Sequence, residues 1–249
     1  MRKHSQTPVL LLHGAWQGAW VWDSQLAPLL AAGLDPVALD LPGNGADGRA
    51  PDAVDFTDHV AHARAALLAA SAPVHIVAHS GAGVLATQLA ETHPDKVAQV
   101  IYVAGMMLPS GVTFPEMVEP FAALDPTAIG IGAFLHMGPG GSSVPQDAAI
   151  SVFYHDCPPD AARTATTRLT IQGEAVRAPR VFHTAANAGR VARAYIRCGA
   201  DRSVVPAVQD AMCAAWPGAR LRRLECGHAP MLAAPDTLAQ TLVGLLARN

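Results

Sequence analysis

Apolar and polar positions along this chain fall into two alternating rhythms. Short apolar, β-prone runs bounded by turn formers occur at Val9 to His13, Pro36 to Asp40, Val74 to Ala78, Val97 to Ala104, Arg193 to Gly199 and Leu221 to Cys226, and each reads as a strand. Between them the spacing turns helical: through Leu30 after a small-residue loop, over Phe56 to Ala70, Val84 to Ala90, Pro206 to Trp216 and Pro235 to Leu246. Strands alternating with helices predict an α/β fold, a mostly parallel central sheet built by right-handed crossovers with helices on both faces. The rhythm lapses over residues 106–189, where Met106, Met107, Phe114, Met117, Phe121, Phe134, Met137 and Phe153 are interspersed with Pro and Gly. That stretch reads as a cap inserted into a core made of residues 1–105 and 190–249. Its Met and Phe side chains either line a pliable apolar pocket or pack on one another. The run Gly138 to Ser143 reads as a mobile lid or a surface loop.

Composition narrows the class. With 51% apolar and 15% charged residues among 249, the chain can bury a large interior and is not disordered. A net charge of -3 without a Lys/Arg cluster gives no footprint for nucleic acid. The first apolar run, Val9 to Leu12, is too short for a signal peptide or a membrane span, so a soluble cytoplasmic protein with no membrane partner is expected. Cys157, Cys198, Cys213 and Cys226 form no C-x-x-C pair and read as free thiols in a reducing compartment. His59 and His62 share one helix face, but without a third ligand they read as surface residues and not as a metal site.

The stretch Val74 to Gly83 carries the first chemical hint. A buried strand runs into Ala78-His79-Ser80-Gly81-Ala82 and then a helix. Such a reversal strains the serine backbone, lifts its Oγ above the sheet and frees the next N–H to face a substrate oxygen. Small residues two positions either side, Ala78 and Ala82, permit the close passage; an ordinary Gly/Ser turn is the plainer alternative. The loop Gly14 to Trp20 can aim a backbone N–H at the same point, or be a turn with packed tryptophans. Asp40, at a strand end, is a catalytic candidate or a local cap. Asp201 and His228 follow two later strands, on the same sheet edge as Ser80.

Ser80, Asp201 and His228 stand in the chain order of a serine hydrolase triad on such a sheet. The hydroxyl needs a base, His228, and the protonated imidazole needs an orienting anion, Asp201. At this point the sequence resembles the α/β-hydrolase fold over nearly all of its length outside the cap. More narrowly, His13-Gly14-Ala15-Trp16-Gln17-Gly18-Ala19-Trp20, Ala38-Leu39-Asp40-Leu41, Ala78-His79-Ser80 and Gly227-His228-Ala229-Pro230 resemble the esterases grouped with plant methylesterases, hydroxynitrile lyases and bacterial pyrethroid-type carboxylesterases. The resemblance implies Ser80 as nucleophile, Asp201 as acid, His228 as base, and the backbone N–H groups of Ala15 and Gly81 as an oxyanion hole. Two departures from the group's pattern matter: Ala78 stands where most members have glycine, and Gly81 where most have a larger residue. Gly14 and Ala229 replace the threonine and lysine of the lyases, which favours ester hydrolysis.

The expected activity is a carboxylic ester hydrolase that needs no cofactor and no metal. Its substrate is a small or medium apolar ester, with Trp16, Met106, Met107, Phe114, Phe121 and Phe134 lining the pocket. The same triad would serve a thioester, a lactone or a carbon–carbon bond, and a small-molecule receptor that retains a hydrolase pocket is the non-enzyme alternative.

Overall fold

In the computed structural model, which describes residues 7–247, the apolar runs fold into one sheet. The chain passes through β1 (Thr7–Leu12), α1 (Asp23–Ala31), β2 (Leu34–Leu39), α2 (Phe56–Ala69), β3 (Val74–His79), α3 (Ala82–Thr92) and β4 (Val97–Val103). Between β4 and the next sheet strand come α4 (Phe114–Ala122), a hairpin of β5 (His136–Gly138) and β6 (Gly141–Ser143), α5 (Gln146–Val152) and α6 (Pro159–Thr167). The sheet resumes with β7 (Ala192–Cys198), then α7 (Pro206–Ala215), β8 (Arg220–Leu224), α8 (Pro230–Ala233) and α9 (Pro235–Leu246). The six-stranded sheet has the order β2-β1-β3-β4-β7-β8 and is parallel throughout.

Strand character follows position. Every residue of the central β3 is buried. One face of the sheet packs Ile76, Val100, Tyr102 and Tyr195 under Leu85 and Leu89 of α3. The other packs Val77, Ile101 and Ile196 under Trp22 and under Leu238 and Leu242 of α9. Each such side chain contributes about 1.5 to 3 kcal/mol by leaving water. The edges are protected differently: β2 carries Pro36, which an edge strand tolerates, and β8 exposes Arg222 and Arg223, charges that discourage edge-to-edge pairing.

Register places the loops that matter. Leu12 lies beside Ala78, His79 beside Val103, Val103 beside Ile196, and Cys198 beside Leu224. The loops leaving β1, β3, β7 and β8 therefore emerge along one rim, where α/β sheets bind ligands.

Residues between β4 and β7 add no strand to this sheet. The glycine-rich run expected as a lid or surface loop is instead the β5–β6 hairpin. Its turn uses positive φ at Gly140 and Gly141, and Ser142 is fully buried and pairs its backbone with Gln172. That pairing is tertiary, so local composition did not announce it. His59 also departs from its expected place: it is 7% exposed because α2 lies over the loop after β2, and its Nε2 donates to the Pro42 carbonyl at 2.9 Å. No helix among the described residues is long and apolar enough to cross a membrane.

Candidate active site

Ser80 sits between β3 and α3 with φ of +52°, a left-handed conformation that costs a non-glycine residue about 1 to 2 kcal/mol. Surrounding bonds hold it there. Its N–H donates to the Val103 carbonyl (3.1 Å), and its own carbonyl accepts from Gly83 (3.0 Å) and Met106 (2.9 Å). The close approach falls at Gly83, where an added Cβ would stand 2.7 Å from the Met106 nitrogen. The Ser80 Oγ is thereby turned toward the loop after β8.

His228 Nε2 lies 3.0 Å from Ser80 Oγ, and its Nδ1 lies 2.8 Å from Asp201 Oδ2. All three residues are at least nine-tenths buried. Asp201 is fixed by its own loop: Oδ1 accepts from the N–H groups of Ser203 (2.7 Å) and Val204 (3.0 Å). The buried Gln209 amide donates to Oδ2 (3.3 Å) and to the Val204 carbonyl (2.6 Å). A neutral imidazole held this way carries its proton on Nδ1 and offers the Nε2 lone pair to the serine.

The backbone nitrogens of Ala15 and Gly81 lie near each other beside Ser80. Neither Ala15 N–H nor Gly81 N–H bonds to any described residue, and a Cβ on Gly81 would lie 4.0 Å from the Ala15 nitrogen. Gly14 allows this proximity, because a Cβ there would come within 2.9 Å of the Ser80 Cβ. Asp40 accepts from Ala19 N–H (2.7 Å), so it holds the loop after β1 instead of capping its own local backbone.

Several supporting residues had little or no signal in the sequence. His79 donates from Nε2 to the His228 carbonyl (2.8 Å), and its Nδ1 lies 3.0 Å from Gln17 Oε1. Burial, reinforced by the neighbouring His228, holds the His79 pKa well below the usual histidine range, so the ring stays neutral. The signal available was a polar residue at the end of a buried strand, directly before Ser80. Phe153 stacks on His228 with centroids 5.3 Å apart. His155 Nε2 donates to the Ala200 carbonyl (2.9 Å), and Asp156 accepts from Gly227 N–H (2.5 Å). The segment after α5 thus grips the loops of both Asp201 and His228. No spacing rule links positions so far apart.

A cavity of about 410 Å³ opens over Ser80 and is walled by residues from both the sheet rim and the inserted segment. Trp16, Met106 and Phe114 line it, as do Val84, Val118 and Ile131. Met107, Phe121 and Phe134 do not. Met107 is fully buried in the core, Phe121 is partly buried against that core and lines a separate pocket with Leu124 and Val205, and Phe134 is half exposed to solvent. Hydrophobicity gave these three their expected place, and backbone direction denied it. Met137 is likewise exposed at 62%. Trp16 is anchored to the hairpin: its Nε1 donates to the Ser142 carbonyl (3.1 Å), and its N–H to Gln172 Oε1 (3.0 Å).

Known proteins align over the whole of this architecture. Methylesterase 17 of Arabidopsis thaliana is 24% identical across 94% of this chain and 89% of its own. Esterase PIR7B of Oryza sativa subsp. japonica is 27% identical across 96% and 95%. Among solved structures, a pyrethroid hydrolase from Sphingobium faniae JZ-2 superposes with a TM-score of 0.83 at 26% identity, covering 98% of each chain. These relatives agree in class, and the chain is a carboxylic ester hydrolase. Residues 9–241 match the model of the alpha/beta hydrolase family, and the chain belongs to that family.

Proposed function

We propose that the protein cleaves small or medium, largely apolar carboxylic esters through an acyl-enzyme, with Ser80 as nucleophile, His228 as base and Asp201 as its orienting acid. The observation that carries this reading is the unbroken bond path from Ser80 Oγ through the imidazole to Asp201, at 3.0 and 2.8 Å. As Ser80 Oγ attacks the ester carbonyl, Nε2 of His228 takes its proton, and Asp201 stabilises the imidazolium. The carbonyl oxygen gains negative charge between the N–H groups of Ala15 and Gly81, each donor contributing about 3 kcal/mol in such sites. Collapse breaks the bond to the alkoxy oxygen, which receives the proton from His228 and leaves as the alcohol. A water, deprotonated by the same nitrogen, then attacks the acyl-serine; the acyl–Oγ bond breaks, His228 returns the proton to Ser80 Oγ, and the acid leaves.

Residues 106–189 serve as the cap of this reading. Their Met106, Phe114, Val118 and Ile131 join Trp16 around a cavity sized for a small ester, and its apolar wall suits an uncharged substrate. The test is chemical. Ser80→Ala should leave thermal unfolding cooperative while abolishing both hydrolysis of p-nitrophenyl butyrate and labelling by a fluorophosphonate probe. Substantial turnover by the Ser80→Ala protein would refute the assignment.

A further inference from the structure

The cavity wall is not uniformly apolar. Asn44, His59 and Gln172 line it, and all three are more than nine-tenths buried. Each is oriented by a bond that leaves only one possible arrangement. His59 Nε2 faces the Pro42 carbonyl (2.9 Å), and a carbonyl only accepts, so Nε2 holds the proton and Nδ1 is a bare lone pair. Asn44 Nδ2 donates to the Ile171 carbonyl (3.2 Å) and to Thr170 Oγ1 (3.0 Å), so its free end is the oxygen. Gln172 Oε1 accepts the Trp16 N–H (3.0 Å), so its free end is the NH₂. Burial lowers the His59 pKa and keeps the ring neutral, preserving the lone pair.

No described residue bonds the free ends of these three cavity-lining side chains, and none of those atoms is completely enclosed. The groups belong together: His59 holds Pro42, two residues before Asn44, and Asn44 holds Ile171, next to Gln172. Desolvated polar atoms without partners cost free energy, so a ligand that satisfies them is selected over one that does not. A hydroxyl suits this set, since its single O–H can donate to one of the two acceptors while its oxygen accepts from the Gln172 NH₂. A carboxylate would confront two acceptor lone pairs, and Arg177 on the same wall is already paired with Glu174 (3.1 Å). We propose that Asn44, His59 and Gln172 form a hydroxyl-binding subsite, making the preferred substrate an otherwise apolar ester that bears a phenolic or alcoholic hydroxyl away from the scissile carbonyl. This rests on the hydrolase reading only for the word substrate; the binding preference stands apart from it.

Two measurements separate the claims. In the Ser80→Ala protein, titration with p- and m-cresol against the isosteric p- and m-xylene should show at least one cresol binding about tenfold tighter, the equivalent of one good hydrogen bond. In the unaltered enzyme, the kcat/KM ratio of methyl 3- or 4-hydroxyphenylacetate to its methyl-substituted counterpart should also be about ten or more. The ratio should collapse in His59→Phe and in Gln172→Leu. Because it is taken within each protein, loss of folded material cancels. Xylenes that bind as tightly as cresols would overturn the subsite, as would a cresol preference untouched by both substitutions. A cresol preference without hydrolysis of any ester would leave the subsite standing and remove the hydrolase reading.

Discussion

Replacing Asp201 by asparagine should cost about 10³ to 10⁴ in kcat, as the wrong imidazole tautomer does in triads, and the bonds around the side chain say why. Oδ1 accepts from two backbone N–H groups, those of Ser203 and Val204. An asparagine must keep its oxygen there, because its NH₂ cannot face two donors. The NH₂ then points at His228 Nδ1, where Oδ2 accepts at 2.8 Å. Only the imidazole tautomer with the proton on Nε2 tolerates that donor, and that tautomer presents N–H, not a lone pair, to Ser80 Oγ. The proposed base is lost without moving an atom. The expected rate change corresponds to about 4 to 5 kcal/mol of barrier. The same NH₂ would also confront the Gln209 amide, 3.3 Å from Oδ2, a donor–donor clash that should lower stability by about 1 to 3 kcal/mol. Steady-state hydrolysis of p-nitrophenyl butyrate gives kcat, and urea unfolding gives stability. An Asp201→Asn enzyme within tenfold of the parent would refute the reasoning, because the hydrogen-bond geometry leaves it no working tautomer.

Other expectations follow from the same structure. Burial lowers the His13 pKa from 6.5 to about 4, so the fold favours the neutral ring. Stability should be full above pH 6.5 and fall as pH drops toward 4, with this residue contributing about 3 kcal/mol of the loss, read as the pH dependence of urea unfolding. Gly14→Ala would drive a Cβ to 2.9 Å from Ser80 Cβ and 3.0 Å from His79 Nδ1; shifting the loop by such an amount should cost about a hundredfold in kcat/KM. Glu91 accepts four bonds from Thr184, Asn187 and Ala188 and pins the returning end of the inserted segment to α3. Glu91→Gln turns one acceptor into a donor and should reduce stability by about 1 to 3 kcal/mol, measured by thermal melting, while hydrolysis of an activated ester by the folded protein is retained.

How much of this was legible in the sequence depends on where the information resides. Parallel strands buried on both faces write themselves as continuous apolar runs, so β3, β4 and β7 lie within a residue or two of their expected bounds. Chain order and strand ends placed Ser80, Asp201 and His228 on one rim, because parallel register alone brings those loops together. The inserted segment was opaque for the opposite reason. The contacts of Ser142 with Gln172 and Trp16, and of Asp156 with Gly227, join positions far apart in sequence. Met107 and Phe134 show the limit of composition: an apolar side chain prefers to leave water, but nothing in its identity says whether it enters the core, a cavity or a solvent-facing turn. His59 shows the same for polarity, since a single carbonyl, that of Pro42, lets it stay buried.

Ser80 is the residue whose backbone the fold holds against its own preference, at φ of +52°. Glycine alone would relax there freely, and glycine lacks the hydroxyl that the proposed mechanism requires. A library of variants sorted by heat resistance alone would therefore drift toward inert proteins at this position. Engineering for hardiness has to screen for turnover alongside melting, or leave residue 80 out of the diversified set.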